Sequence, residues 1–449
     1  MNNWKQQKLG IVADVKLSNV DKLTIENERV VRLCNYTDVY KNSFINNEKS
    51  ESFMLASCNE NEYEKFILKK GQVAITKDSE TPNDIGVSTY ISEDFEDVVL
   101  GYHLALITPD NDKLNGQFLH YWLNTKQAKR YFENNAGGSG QRCTLILDCI
   151  KSTPLYLPKL STQVKIAKVL SDLDIKIELN NCINRELEAM AKTLYDYWFV
   201  QFDFPNEQGK PYKSSGGKMV YNSELKREIP EGWEVGNIGN YCPSSGGFAF
   251  KSSWWTNEGV SVVKIKDIQE DYTIDISNLA KVDLTDKKID NKFKAKPGDI
   301  LIAMTGATVG KYGIVPITDY PIYVNQRVGY FNLGNEPTEK LPYLINSLNQ
   351  SYFREMIFSL ASGAAQPNIS NEQINRISLI IPDRTIVNKY NLKFAPFYKT
   401  ILNNQRQNQQ LTELRDWLLP MLMNGQVTVK EAEESLSMAA EPSVEYKKG

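Results

Sequence analysis

The chain repeats itself, and nothing else in the sequence constrains its fold as strongly. Trp4 with Leu9-Gly10 matches Trp233 with Ile238-Gly239, at an offset of 229 residues. Phe66-x-x-Lys69-x-Gly71-Gln-Val73 matches Phe293-x-x-Lys296-x-Gly298-Asp-Ile300 at 227, and Ile85-Gly86-Val87 matches Tyr312-Gly313-Ile314 at the same offset. Phe118-Leu119 and Leu123-Asn124 recur as Tyr343-Leu344 and Leu348-Asn349 at 225. Gly140-Gln141 lies near the counterparts Gly363 and Gln366, Leu157-Pro158 answers Ile381-Pro382 at 224, and Asn180-x-x-x-Asn184 answers Asn404-x-x-x-Asn408, also at 224. Matches that keep one order while the offset drifts by so little mark a duplicated unit.

Each half shows the same layout: short β-like runs and turns, a Leu/Ile-Pro exit, then a long helical segment. Residues 73–76 and 98–107 in the first half, and 260–265, 299–304 and 322–330 in the second, are β-branched or aromatic runs bounded by Gly, Pro or Asp, which predicts strands. Helices are predicted over 117–134 and 343–360. Pro205-Asn-Glu-Gln-Gly-Lys-Pro211 and Ser214-Ser-Gly-Gly217 have turn and linker composition. The domain reading is therefore 1–158 and 229–382 for the β-rich halves, 159–204 and 383–424 for the helical regions, 205–228 for a linker, and 425–449 for a weakly ordered tail rich in Glu, Lys and Ser.

The helical segments carry heptad seams. Ile166, Leu170, Leu173, Ile177, Asn180, Asn184, Leu187, Ala191, Leu194 and Trp198 step by four and three throughout. The second seam reads Phe394, Phe397, Ile401, Asn404, Asn408, Leu411 and Leu418, with Leu414 or Arg415 at an imperfect step. Pro396 suits a first helical turn and places the start of the continuous second helix near it. Both seams are interrupted by asparagine at matching places. Buried Asn weakens a coiled coil but fixes its register, so Asn180, Asn184, Asn404 and Asn408 are expected to set the alignment of an antiparallel pair; the alternative turns them to the surface. The stretch from Asp172 to Phe199 would span about 42 Å at 1.5 Å per residue, comparable to the ~34–36 Å turn of B-DNA between half-site centres.

Catalytic signatures are missing. Thr305-Gly306-Ala-Thr-Val-Gly310-Lys311-Tyr312 has three residues between its glycines and Tyr after Lys, whereas a phosphate-binding P-loop needs four and then Ser or Thr. No Gly-x-Gly-x-x-Gly opens a βαβ unit, and no Asn/Asp-Pro-Pro-aromatic methyltransferase loop occurs. Only two histidines are present, His103 and His120, both expected to be ordinary partly buried residues. Cys34, Cys58, Cys143, Cys149, Cys182 and Cys242 are irregularly spaced with no Cys-x-x-Cys, which argues against a metal centre and for reduced thiols of a cytoplasmic chain. The first residues carry no apolar core of signal-peptide length, and no apolar run approaches a membrane span. Lys+Arg 52 against Asp+Glu 55 is near balance, which excludes a polycationic nucleic-acid glue but not charge segregated onto one face.

The β-rich halves offer a recognition surface instead. Gly140-Gln141-Arg142, Asn325-Gln326-Arg327 and Gln366-Pro-Asn368 place planar polar side chains beside turns. Arg forks onto guanine, and Gln or Asn onto adenine, in the major groove. Lys77, Lys251, Lys264, Lys266, Lys292, Lys294, Lys296 and Lys311, interleaved with Phe248, Trp254, Trp255, Phe293 and Tyr312, suit phosphate contacts or, alternatively, simple solvated strand faces. Candidate DNA-binding residues are Lys77, Gln141, Arg142, Lys264, Lys266, Thr305, Lys311, Tyr312, Gln326, Arg327, Gln366 and Asn368.

Several strings then resemble one family. Pro154-Leu-Tyr-Leu-Pro158-Lys-Leu160-Ser-Thr-Gln163-Val-Lys-Ile166-Ala167-x-Val-Leu170-Ser-x-Leu173-Asp174-x-Lys-Ile177 is similar to the central conserved region of specificity subunits of type I restriction–modification systems. So are Leu187-Glu-Ala-Met-Ala-Lys-Thr-Leu194-Tyr-Asp-Tyr-Trp198-Phe199, Ile229-Pro230-Glu-Gly232-Trp233, and Pro297-Gly298-Asp-Ile-Leu-Ile302 with Thr305-Gly306-Ala307-Thr308-x-Gly310-Lys311. The resemblance covers residues 4 to about 424. It implies an α+β chain in which two β-rich mixed target-recognition domains are joined by two long helices forming an antiparallel coiled coil. Each domain would read half of a bipartite asymmetric sequence in double-stranded DNA. The helices would set the spacer and dock two modification subunits through Gln163, Ile166, Leu170, Tyr197, Trp198 and Trp417. The second helix departs from the pattern, since Ile386-Val-Asn-Lys lacks the string at 162–167. The chain itself would be non-catalytic and without a cofactor; S-adenosylmethionine would sit on the modification subunits, and ATP and Mg on the restriction subunits. A catalytic methyltransferase or nuclease chain is the competing reading.

Overall fold

The computed structural model describes residues 4–138, 142–223, 226–361, 366–432 and 434. It contains two compact units, one of Met1–Lys176 with Gln410–Gly449, the other Ile177–Gln409. In each, the strand that opens the half pairs antiparallel with the strand that closes it: Lys5–Lys8 with Pro154–Leu157, and Glu234–Asn237 with Ser378–Ile381. The matched Trp–Gly and Leu/Ile-Pro strings are the two edges of that closure.

Within the first unit, a five-stranded sheet runs in the order Ala13–Leu17, Leu104–Pro109, Val73–Thr76, Ser88–Ile91, Phe44–Ile45. A second sheet sets Arg29–Cys34 between Met54–Cys58 and Val98–Leu100, antiparallel to the former and parallel to the latter. In the second unit the counterparts are Ile300–Ala303 beside Val328–Phe331, and Val260–Val263 parallel to Ile322–Val324. The runs expected as single strands over 98–107 and 322–330 are therefore each two strands. Each leaves a parallel pairing in one sheet and enters an antiparallel pairing in another, and the chain turns between them at 101–103 and 325–327. The helices expected over 117–134 and 343–360 are likewise each a pair, Gly116–Leu123 with Lys126–Asn135 and Leu341–Leu348 with Ser351–Ala361. Thr125 caps the second of the first pair, its Oγ1 accepting from the Ala128 amide at 3.2 Å.

The segment expected as a linker is folded. Met219–Asn222 and Arg227–Pro230 form a hairpin, and Phe204 stacks on both Tyr212 and Trp233, with ring centroids 4.6 and 4.9 Å away. Aromatic burial outweighs the turn-rich composition there.

The helices Leu160–Tyr195 and Arg384–Met423 bury the expected stripes. Ile166, Leu170, Leu173, Asn180, Asn184 and Ala191 on the first are buried, as are Trp198 in the turn that follows it and Phe394, Ile401, Leu411 and Leu418 on the second. The helix does not begin near Pro396; it runs through Pro396 and Pro420 from Arg384. Proline cannot donate to the Leu392 carbonyl and costs about 3 kcal/mol in a helix interior, but the preceding turns bury Val387, Tyr390 and Phe394. At roughly 1.5–3 kcal/mol for each large apolar side chain, that burial exceeds the cost.

Pairing is antiparallel. In the second unit the Asn180 amide donates to Asn408 Oδ1 and Gln407 Oε1, both at 2.8 Å, Asn404 donates to Asn184 Oδ1 at 2.8 Å, and the Tyr390 hydroxyl donates to the Ala191 carbonyl at 2.7 Å. In the first unit, Arg415 fills the imperfect step and reaches Asp174 Oδ1 at 2.8 Å, while Tyr121 donates to Asp174 Oδ2 at 2.6 Å. The seam asparagines thus bond one another rather than face solvent.

Replacing Asn184 with Leu strands the Asn404 amide, and should cost about 1–3 kcal/mol in urea denaturation. Adding Asn404→Leu should recover that loss; a double variant no more stable than the single one would contradict the pairing. A second expectation concerns pH. His120 is buried between Ser88 Oγ (3.0 Å from Nδ1) and Ser43 Oγ (3.1 Å from Nε2). Burial pushes its pKa down to about 4, with Asp174 opposing and Arg415 adding to the shift. Below the free imidazole value of ~6.5, the unfolded chain takes up a proton that the folded chain refuses. His120 therefore makes stability fall as pH drops from about 6.5 towards 4. In His120→Gln the melting temperature should decline less over that window than in the natural chain, and an identical decline would refute the assignment.

Candidate nucleic-acid interface

In each unit the strand breaks bring four loops together on one backbone frame. In the second unit the Met304 amide donates to the Arg327 carbonyl at 3.1 Å, and the Ile369 amide to the Met304 carbonyl at 2.9 Å. Thr305 bridges Asn368, and the Gly306 amide donates to the Pro367 carbonyl at 2.9 Å. The fourth loop is closed by the Lys264 amide donating to Asp267 Oδ2 at 2.8 Å. It abuts the others, since a Cβ on Gly306 would lie 3.9 Å from Ile265 and 3.8 Å from Gln366.

The first unit repeats these bonds. The Lys77 amide donates to the His103 carbonyl at 3.0 Å, and the Leu145 amide to the Lys77 carbonyl at 2.7 Å. Asp78 pairs with Thr144, and the Asn35 amide donates to Asp38 Oδ2 at 2.8 Å. Residues 78, 103 and 144 therefore stand where 305, 327 and 368 stand in the second copy. The frame is the same and the side chains on it differ.

In the second unit the frame carries exposed Lys266, Gln326, Arg327, Gln366 and Asn368, with Thr305 half-buried. Thr305 Oγ1 has no hydrogen-bond partner among the described residues. Lys264 Nζ lies 3.6 Å from the centroid of the Trp255 ring, and burial lowers its pKa against the pull of Asp267. Lys266 meets Asp267 at 2.8 Å. Beside them a cleft is lined by Trp255, Asn257, Lys264, Lys266, Asn278 and Lys281. The expected interleaving of lysines and aromatics is present as cation–π contacts: Lys251 with Trp254, Lys292 with Phe293, and Lys294 with Tyr323.

Other candidates turn inward. Lys77 is buried, ion-paired to Asp78 at 3.1 Å and 4.7 Å from the Tyr102 ring centroid, so its charge is already spent and it is no phosphate contact. Tyr312 is buried, stacks on Tyr272, and donates to Asn349 Oδ1 at 2.5 Å. Lys311 pairs with Glu270 at 3.2 Å. Arg142 is exposed, and Gln141 lies outside the described residues, as does Gly363. On the helices, Gln163, Ile166, Leu170 and Trp198 are buried within their own units. Gln163 accepts from the Asn115 amide and donates to the Lys113 and Pro158 carbonyls. Tyr197 is half-buried, and Trp417 is 50% exposed.

Asp78 and His103 escape a reading of composition. Asp78 Oδ2 accepts from His103 Nδ1 at 2.6 Å, and Oδ1 accepts from Thr144 Oγ1 at 2.7 Å. Although burial opposes it, hydrogen bonds from Thr144, His103 and Lys77 hold the carboxyl below the usual range. The repeat sets Asp78 against Thr305 at the 227 offset, whereas the match of His103 to Arg327 comes from the equivalent hydrogen bonds that their carbonyls accept from Lys77 and Met304.

Residues 1–189 and 230–413 match the family described as type I restriction modification DNA specificity domain, once in each half of the repeat. The chain belongs to this family. The type I restriction enzyme HindI specificity subunit of Haemophilus influenzae is 25% identical over 481 residues, covering 95% of this chain and all of that relative. The MjaIX specificity subunit of Methanocaldococcus jannaschii is 28% identical over 326 residues, 71% of each chain. The crystal structure of a type I restriction–modification S subunit from M. genitalium shares the fold, with a TM-score of 0.55 at 17% identity over 94% of this chain and 97% of that one. Specificity-domain membership in both halves gives no support to a methyltransferase or nuclease. No helix among the described residues is long and apolar enough to cross a membrane, and no group of His, Cys, Asp and Glu among them could hold a metal.

Proposed function

We propose that this chain is the non-catalytic specificity subunit of a type I restriction–modification complex, and that each unit reads one half of a bipartite, asymmetric duplex target in the cytoplasm. The observation that carries this reading is the duplicated four-loop frame, tied by equivalent backbone hydrogen bonds, closed in each copy by an aspartate at the fourth loop, and dressed with different polar side chains. A frame held by backbone bonds can exchange its side chains without refolding, which is what a reader of variable sequence needs. In the second half, Arg327, Gln326, Gln366 and Asn368 are the base readers, with Thr305 beside them; Lys264 and Lys266, supported by Trp255, hold phosphates. In the first half, Arg142 is the exposed cation of the frame.

The two helices set the length of the unread spacer and dock two modification subunits, which bring S-adenosylmethionine. Of the residues expected at that docking surface, Trp417 and Tyr197 retain accessible side chains. Restriction subunits, with ATP and Mg, join the same assembly.

The test uses the chain assembled with its modification subunits. Arg327→Ala should relax discrimination in the second half only, losing about 1–3 kcal/mol against the cognate base. Lys266→Ala should weaken cognate and random duplexes alike and reduce the salt slope by about one. Equal losses on cognate and random DNA for Arg327→Ala would remove it from the base readers.

A further inference from the structure

We propose that His103 reads the exocyclic amino group of an adenine or cytosine in the first half of the target, with Asp78 as the residue that positions it; this rests on the DNA-specificity reading above. His103 occupies the frame position of Arg327, at the turn between two strands. It holds φ at +73°, a left-handed conformation that side chains other than glycine rarely take. Such strain persists where the surroundings over-determine it, and it concentrates at functional sites. Here the His103 carbonyl is bound by the Lys77 amide and the ring is clamped from both sides. Nδ1 donates to Asp78 at 2.6 Å, and the Tyr102 ring meets the imidazole edge at a centroid distance of 4.2 Å.

That clamp decides the chemistry. With Nδ1–H committed to Asp78, Nε2 is the ring nitrogen left to meet a base, and in the neutral imidazole that nitrogen is an acceptor. Both oxygens of Asp78 are engaged, Oδ1 by Thr144 and Oδ2 by His103 and Lys77. The side chain of His103 is about one-third exposed, at 29%, and lines a cleft with Tyr36, Tyr40, Asp84 and Arg142. In the major groove an acceptor selects the amino groups of adenine N6 and cytosine N4, whereas guanine and thymine present acceptors of their own there. The second copy has Arg327 at this place, which only donates. The two halves of the chain therefore present opposite hydrogen-bonding polarity from one backbone position.

The experiment takes the complex with modification subunits and a target selected from random duplexes. Each first-half adenine is replaced by purine, and each cytosine by 2-pyrimidinone, so that only the amino group is lost. At one position the natural chain should lose about tenfold in affinity, the size of a lost base contact. His103→Gly, which accepts φ +73° without strain, should bind that substituted duplex and the intact one equally, with second-half preferences unchanged. Asp78→Asn should blunt discrimination at the same base and at no other. Insensitivity of the natural chain to every amino deletion, or undiminished sensitivity in His103→Gly, would overturn the proposal. Failure of the natural complex to prefer any selected duplex over random DNA would instead overturn the specificity reading itself.

Discussion

An apolar stripe on an isolated helix has no stable place in water, and this chain has two of them. Each is satisfied by antiparallel contact with the other, and both helices contribute residues to both compact units. Apolar burial supplies the drive but little choice of register, because Leu and Ile pack with almost any neighbour of similar size. Choice comes from the polar layers. Asn180 with Asn408, Asn184 with Asn404, and Asp174 with Arg415 leave buried groups unpaired if the helices slide by one turn.

On this scaffold the chain separates what is fixed from what varies. The opening and closing strands of each half, the parallel pairing of two inner strands and the hydrogen bonds that tie three of the loops are built from backbone groups, the fourth loop closes on an aspartate, and all of these recur in both copies. What differs is the side-chain set that those loops hold out. One copy offers Arg327, Gln326, Gln366 and Asn368, while the other offers a histidine fixed by a carboxylate, a stacked tyrosine pair and Arg142. The near-neutral net charge fits this division, since the loops hold out directional polar groups more than bulk positive charge.

Much of the architecture was legible because it is periodic or repeated. The heptad stripe predicted the buried face of the first helix nearly residue by residue, and residues 73–76 are a strand as expected. The duplication is visible from Trp4 and Trp233 onward. What could not be read was anything set by distant partners. Lys77 looks like a free cation until folding places Asp78 and Tyr102 against it, and Tyr312 looks like a surface aromatic until Asn349 and Tyr272 cover it. Pro396 marks a helix start by local chemistry alone, and the burial of Tyr390 and Phe394 overrides it. His103 looks like any other histidine in the sequence, because its turn conformation and its bond to Asp78 belong to the folded chain.

On a common frame, each copy is proposed to read its own half of the target independently of the other. The most direct test is a map of methylated positions produced by the assembled enzyme after residues 1–158 are exchanged for the equivalent domain of another family member. One half of the recognised sequence should change while the other half and the spacer length stay as they were. A motif altered in both halves, or in neither, would contradict it.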